Sequence, residues 1–595
     1  MLRKIKDIKV IIRYYWNYDK LYTILFFFRC IVGAIISTIN SIYLLKVVFD
    51  AFETSTNINY IIEFILLIAG INVIYFLFNE WFQNIYKPKC DLKVKSLIQK
   101  ELFVKAAKID LSYYDNPKFY NDYILALNES KKRAEDVMEH CGQCISNITS
   151  IISISSIILK IDYLVIILII ISVFISLVFD TKMAQTNASK EFDLIGLNRR
   201  INYIKRIFYL REFITEMKIM HNENFIFDEY DESVKSVEKI NSEYGKRLMK
   251  MNLSSGVITS ILTNYVVYFL LIHKMFVLRT ITIGDFSAIL SSIWGLTNML
   301  SQVVNNISAL IVDSIYCKKI SEFIQISNCT KPNYDLIKPP EELTTVELCD
   351  ISFSYNKSNK VLKNINLKIE AGQKIAIVGE NGAGKSTLIN VLLNLYKDYT
   401  GTININGVDI KKYDNEALYE YFSCLFQDFN IYASSIENNV CMNLCGEDNL
   451  SNIEEALKIA GFEEKLRKLP LGVHTVLTNE YDENGLELSG GEKHKIAMAR
   501  IIISKGKVIC LDEPSSSLDP IGESNFNRIL MSAFKDKTVI FISHRFFANR
   551  FVDKIYMMSD GRIIEEGTHN KLMKDKGRYS VLYNLQKEKF KLDKN

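Results

Sequence analysis

The sequence predicts an all-α membrane domain of six helices followed by an α/β domain. Three observations carry this. Six apolar stretches long enough to cross a bilayer precede residue 313. After about residue 345, short β-rich runs alternate with helical ones. Within that second part, a strand-like run leads through a glycine-rich loop into a helix. The bulk numbers agree: 595 residues exceed one hydrophobic core, and 49% hydrophobic with 24% charged residues suits a membrane part joined to a water-exposed part. The expected divisions are a helical domain over 1–322, a linker over 323–345 containing Pro339-Pro340, and an α/β domain over 346–595.

The apolar stretches lie at about 21–48, 58–82, 143–159, 163–180, 252–278 and 286–312. Only Lys160, Ile161 and Asp162 separate the third from the fourth. Basic residues set the orientation. The N-terminal segment carries Arg3, Lys4, Lys6, Lys9 and Arg13, whereas Val47 to Phe82 holds no Lys or Arg. The segments 83–142 and 181–250 carry roughly a dozen each. The N-terminus and both long segments are therefore expected in the cytoplasm of a multi-pass protein of the cytoplasmic membrane. Six spans then return the chain to that side. The first apolar run is too long for a signal peptide and lacks a small-residue cleavage site.

Each long polar segment reads as a helix with a break, at Tyr113–Pro117 and at about Met217–Glu229. The breaks fit short transverse helices that touch the second domain, or ordinary helix–turn–helix loops. In the sixth span, Ser291, Gly295, Asn298, Gln302, Asn305 and Asn306 recur at helical spacing and form a polar stripe. Amides are costly against lipid, so this stripe lines a wet cavity or bonds to neighbouring helices. Asn264 also lies within a span, and Arg29 either lines the cavity or pairs with Glu63 or Glu80. Cys141 and Cys144 have redox-pair spacing but no βαβ context, so reduced thiols are expected. The net charge of +4 gives no support for a nucleic-acid partner.

In the second part, Ile375–Val378 reads as a buried strand. It leads into Gly379, Glu380, Asn381, Gly382, Ala383, Gly384, Lys385, Ser386 and Thr387, and then into the helical Leu388–Leu395. This is a P-loop in its strand–loop–helix setting. Its backbone N–H groups and the helix N-terminus suit phosphate. Lys385 reaches the outer phosphates, and the Ser386 hydroxyl suits Mg²⁺. A second strand, Val508–Leu511, ends in Asp512 and Glu513. Asp512 suits the Mg²⁺ shell, and Glu513 suits general-base work on an attacking water. These residues predict a P-loop ATPase that uses ATP and Mg²⁺.

Leu488-Ser489-Gly490-Gly491-Glu492 resembles the signature motif of the ATP-binding cassette (ABC) family, about twenty residues before Asp512. With the six-span half ahead of it, essentially the whole chain resembles an exporter-type half-transporter. The resemblance implies that Tyr355 stacks on adenine, and that Gln427 is the Q-loop residue reaching the metal and water. It also implies that Asp519 belongs to the D-loop, and that His544 is the switch histidine on the γ-phosphate. Ile283-Gly284-Asp285-Phe286 resembles an exporter element, and Glu480–Glu487 resembles the exporter X-loop only loosely. Glu492 stands where many members have Gln. In the family, Ser489, Gly490 and Gly491 of one cassette meet ATP held by another, so the chain is expected to pair, most simply with a second copy of itself.

The expected function is export of a peptide or amphipathic substrate, driven by ATP hydrolysis and alternating access. Asp115–Tyr120 and Asp482–Glu487 resemble exporters of bacteriocins and modified peptides. The alternatives are a multidrug or lipid exporter, and then an ATP-gated channel or sensor. About twenty residues precede the first span, which leaves no room there for a leader-peptidase domain.

Overall fold

A computed structural model describes residues 2–54, 58–161, 163–326, 336–355, 359–442, 450–514, 530, 532–543 and 552–592. The chain divides into two compact units. One comprises Met1–Lys108 with Lys118–Ile326, and the other Ile109–Pro117 with Ser327–Asn595.

The first unit is helical: α1 (Leu2–Tyr18), α2 (Lys20–Thr38), α3 (Leu44–Thr54), α4 (Ile58–Trp81) and α5 (Lys87–Lys108). A four-residue turn of helix, α6 (Leu111–Tyr114), belongs to the second unit. The first unit resumes with α7 (Pro117–Ile161), α8 (Tyr163–Tyr209), α9 (Arg211–Met220), α10 (Glu223–Ser260), α11 (Val267–Phe276) and α12 (Ile283–Gln325). Helix runs through each of the six expected spans. Among the described residues, Lys20–Glu53, Ile58–Lys108 and Lys132–Leu159 are long and apolar enough to cross a membrane, and Val267–Leu278 is a shorter apolar helix. The apolar side chains of α4, among them Leu66, Leu67, Phe76 and Leu77, point outward. A helix apolar on nearly every side needs lipid or protein around it.

Local chemistry explains the breaks. Asp19 caps α2 by accepting from the Tyr22 backbone at 3.1 Å. A π-helical turn, Phe82–Tyr86, precedes α5, and Lys87 N–H donates to Phe82 O. Pro88 follows and has no N–H to continue the regular ladder. Tyr15 and Tyr22 stack at 5.6 Å and both donate to Asp91 Oδ1, at 2.9 and 3.2 Å. Those bonds tie α1 and α2 to α5.

Several expectations change. The break expected at Met217–Glu229 begins earlier: α9 starts at Arg211, and the chain turns again at His221, whose φ is 49°. The first break does contain a short helix, α6. Helix α13 below ends at Leu392, short of the expected Leu395. Arg29 pairs with neither Glu63 nor Glu80. Its guanidinium bonds the amide oxygens of Asn79 and Gln83 and lies over the Phe26 and Phe82 rings. Glu80 accepts from Asn84 instead. On α12, Asn306 is buried while Asn298, Gln302 and Asn305 are exposed in the single chain. Cys141 and Cys144 are free thiols.

The second unit holds β1 (Thr345–Phe353), β2 (Leu362–Glu370), β3 (Lys374–Gly379), β4 (Thr400–Ile405), β5 (Val408–Asp409), β6 (Phe422–Leu425), β7 (Val508–Asp512), β8 (Thr538–Ser543), β9 (Lys554–Ser559) and β10 (Arg562–Gly567). Its helices are α13 (Lys385–Leu392), α14 (Asn415–Tyr421), α15 (Ile436–Cys441), α16 (Leu450–Ile459), α17 (Glu463–Arg467), α18 (Gly490–Ile503), α19 (His569–Asp575) and α20 (Arg578–Leu592). An antiparallel sheet runs β2-β1-β4-β5, and a second sheet runs β10-β9-β3-β8-β7-β6. In the second, β9, β3, β8, β7 and β6 are parallel neighbours. Every residue of β7 and β8 is buried, as parallel strands covered on both faces require. Strand β2 alternates buried and exposed over most of its length, as a half-solvated antiparallel strand does. Each buried Ile or Val contributes about 1.5–3 kcal/mol, so the parallel sheet is a rigid platform for the loops at its edge.

Candidate functional site

The loops leave the carboxyl edge of the parallel sheet, where sites on open α/β sheets gather. Strand β3 feeds the P-loop, and its neighbour β8 ends at Ser543. Strand β7 ends at Asp512, and β6 leads to Gln427. The register pairs Leu425 with Leu511, so Gln427 and Glu513 each stand two residues beyond the same rung. The carboxyl ends of four strands from separated parts of the chain thus meet along one edge.

The P-loop is shaped by its glycines. Gly382 and Gly384 have φ of 81° and 95°, a region costly for residues with Cβ. Any Cβ at Gly379 would meet Met558 O at 2.3 Å. Asn381 and Gly382 are exposed, and Ala383 packs inward with its N–H donating to Glu380 O at 3.2 Å. Lys385 is buried, and its ammonium donates to Gly379 O and Glu380 O, both at 2.9 Å. Burial holds its pKa below the usual lysine value, partly opposed by Glu513 and Asp512. Both acids thus act on the ammonium through their charge. On the outer side, Glu380 pairs with Arg578 at 3.0 Å.

Asp512 is 4% exposed, and burial raises its pKa, partly opposed by a hydrogen bond from Ser386. Its Oδ1 is buried and has no hydrogen-bond partner among the described residues. A buried carboxylate oxygen left unpaired is costly, and beside a serine hydroxyl it forms the hard oxygen donor set that Mg²⁺ takes. Glu513 has φ of 50°, rare for a non-glycine residue, while its N–H donates to Ile542 O at 3.0 Å. Strained backbone of this kind concentrates at functional positions.

Thr387 is buried in the first turn of α13, and its hydroxyl shares a 2.9 Å hydrogen bond with the Tyr355 phenol. The Tyr355 ring is 44% exposed, so a planar group can reach it. Gln427 is exposed. Asp519 and His544 lie outside the described residues.

The signature residues stand apart. Ser489 caps α18, exchanging hydrogen bonds with Glu492 and accepting the Lys493 N–H at its carbonyl at 2.9 Å. A Cβ at Gly490 or Gly491 would meet nothing within 4 Å, so this helix start presents bare backbone. The loosely matched stretch before it forms a tight loop: Leu477 bridges Leu486, and Tyr481 at its tip is 87% exposed.

Sequence reasoning missed two organising residues. Buried Asn439 accepts from Tyr432 N–H and donates to Tyr432 O, Ser434 O and Ser435 O. Arg500 on α18 donates to Asn439 O and to Asn430 O, tying the signature helix to the segment after Gln427. No local motif marks either residue, because their partners are main-chain carbonyls.

A family model described as ABC transporter matches residues 362–516. The subtilin transport ATP-binding protein SpaT of Bacillus subtilis is 27% identical over 493 residues, 82% of this chain and 79% of that protein. An ATP-dependent lipid A-core flippase of Pseudoalteromonas translucida is 29% identical over 380 residues, 62% of this chain and 63% of the flippase. The solved structure of a bacterial Atm1-family ABC exporter with ATP bound superposes with a TM-score of 0.78 at 18% identity, covering 96% of this chain and 98% of that one. Signature, P-loop, helical unit and relatives point one way: residues 362–516 match the ABC transporter family, an ATPase domain coupled to transport, and the chain as a whole has the fold of an ABC exporter.

Proposed function

We propose that this chain exports a peptide or other amphipathic substrate across the cytoplasmic membrane as a homodimer working by alternating access. The observation that carries the ATP-driven part is the pairing of Asp512 and Glu513 at the end of β7 with Lys385 and Ser386 beside them. In this reading, Gly379–Thr387 wrap the phosphates and Lys385 balances their charge. Tyr355 takes the adenine face. Ser386, Asp512 and Gln427 would hold Mg²⁺, which supplies charge neutralisation at the transferred phosphoryl group. Glu513 takes the proton of the attacking water, and His544 and Asp519 complete the site. The open backbone at Ser489, Gly490 and Gly491 faces the nucleotide held by the second copy, where a helix N-terminus favours negative charge.

Two further features support pairing and export. The signature residues bond within their own helix rather than to the P-loop of the same chain. The helical unit has long apolar helices, and a relative matched over 82% of the chain is named for subtilin transport. Six spans, with both long helical segments in the cytoplasm, are the topology this reading uses. The cassette, over 346–595 after a linker at 323–345, then also lies in the cytoplasm. A lipid-exporting role is the second reading, favoured by the likeness to a lipid A-core flippase.

The deciding experiment is Glu513→Gln in proteoliposomes. Turnover should fall by about 10²-fold or more while ATP remains bound. Wild-type turnover in that variant would sink the proposal. Stimulation of the wild-type ATPase by peptides, set against lipids, separates the two substrate readings.

A further inference from the structure

Two neighbouring residues after α13 hold both ends of the segment around α6. Tyr396 donates its phenol to Asp115 Oδ2 at 2.8 Å, and Lys397 pairs with Asp110 Oδ1 at 2.6 Å. Asp110 and Asp115 flank the one-turn helix Leu111–Tyr114. Residues 109–117 thus fold with the cassette, although α5 and α7 on either side belong to the helical unit.

Tyr396 also reaches the candidate base site. It is buried, and its ring meets the Tyr355 ring edge-on, with centroids 5.3 Å apart and planes at 89°. Phe353 completes a triangle, 5.0 Å from Tyr355 and 5.1 Å from Tyr396. Edge-to-face contact fixes ring tilt, because the positive rim of one ring seeks the negative face of the other. On its far side, Tyr355 is held by the hydroxyl of Thr387 in the P-loop helix. Burial and Asp115 both raise the Tyr396 pKa, so the phenol keeps the proton it donates. A continuous series of contacts therefore runs from Asp115 through Tyr396 and Tyr355 to Thr387.

We propose that Tyr396 is a positioning residue for the nucleotide base, and that Asp115 sets its pose. Through them, the segment between α5 and α7 tunes how strongly Tyr355 grips a purine. This rests on the reading of Tyr355 as the base-stacking residue. The claim concerns affinity and not chemistry: neither Asp115 nor Tyr396 lies beside Glu513 or Lys385 among the bonds described. By linkage, a nucleotide that orders Tyr355 also strengthens the hold of the cassette on residues 109–117.

The test uses full-length protein in lipid nanodiscs. Tyr396→Phe keeps the ring and deletes the hydroxyl. Asp115→Asn keeps an acceptor and removes the charge. Each should raise KM for ATP about three- to tenfold with kcat within about twofold, because a ring contact and a charge-assisted bond are lost while the hydrolytic groups are untouched. Competition by inorganic tripolyphosphate, which has no base, should be unchanged. In a Tyr355→Leu background, Asp115→Asn should have no further effect on KM. If Tyr355→Leu alone left KM unaltered, the reading of Tyr355 would fail. If it raised KM while Asp115→Asn and Tyr396→Phe did not, the present inference would fail and that reading would stand. Parallel loss of kcat, or weakened tripolyphosphate binding, would show a general structural role and overturn it as well. Thermal unfolding of each variant checks that the fold persists.

Discussion

Ser489 and Glu492 bond each other reciprocally across the first turn of α18. The Ser489 N–H donates to Glu492 Oε2 at 2.9 Å, and the Glu492 N–H donates back to Ser489 Oγ at 3.4 Å. That hydrogen bond from the Ser489 backbone is the main reason the Glu492 carboxyl sits below its ordinary range, and Lys465 adds to it at 3.0 Å. The departure from the family's glutamine is therefore benign, since either Glu or Gln can close a capping box. Glu492→Gln should keep both turnover and thermal midpoint, whereas Glu492→Ala should cost about 1 kcal/mol in unfolding. Thermal unfolding of the purified variants decides it, and equal midpoints for Ala and wild type would refute it.

Asn439 is the keystone of the segment between the Q-loop and the signature helix. Its side chain makes four hydrogen bonds to main-chain groups, and its own carbonyl accepts from Arg500. Asn439→Ala leaves those groups unpaired and should destabilise the cassette by about 3 kcal/mol. Denaturant unfolding measures this, and a loss below about 0.5 kcal/mol would contradict it.

His140 and Arg133 on α7 converge on Asp313 of α12, which is 1% exposed; both contacts are 2.9 Å. Glu129 and Asp136 flank Arg133, and the Tyr316 ring lies under its guanidinium at 4.2 Å. Asp313→Ala removes the buried acceptor that Arg133 and His140 share and should cost about 3 kcal/mol in stability. Thermal unfolding of the purified variant measures this, and a midpoint equal to wild type would argue against the pairing.

Gly284 opens α12 inside a web of short contacts. Lys46 pairs with Asp285, Thr282 Oγ1 donates to Asp50 at 2.6 Å, and Ile283 N–H donates to Glu53 at 3.0 Å. A Cβ at Gly284 would meet the Asp50 carboxylate at 2.2 Å and Lys46 O at 2.6 Å. Gly284→Ala should therefore cost about 1–3 kcal/mol by overpacking. A lowered thermal midpoint is expected, and a midpoint equal to wild type would show that α3 can yield.

The amino-acid order alone was enough for the helices, the P-loop and the acid pair at the end of β7. Each is written in consecutive residues, because helix periodicity and glycine backbone freedom act within a few positions. The order could not reveal which distant groups meet. Tyr396 and Asp115 are separated by 281 positions, and Arg133 and Asp313 by 180. For Arg29 the chain offered a cavity or the carboxylates of Glu63 and Glu80, and its guanidinium meets the amides of Asn79 and Gln83. The second break begins at Leu210 and not near Met217, because extended backbone at Leu210 separates α8 from α9. Pairings of this kind depend on how helices and strands pack, and packing is a property of the whole chain closed upon itself, not of any window of it.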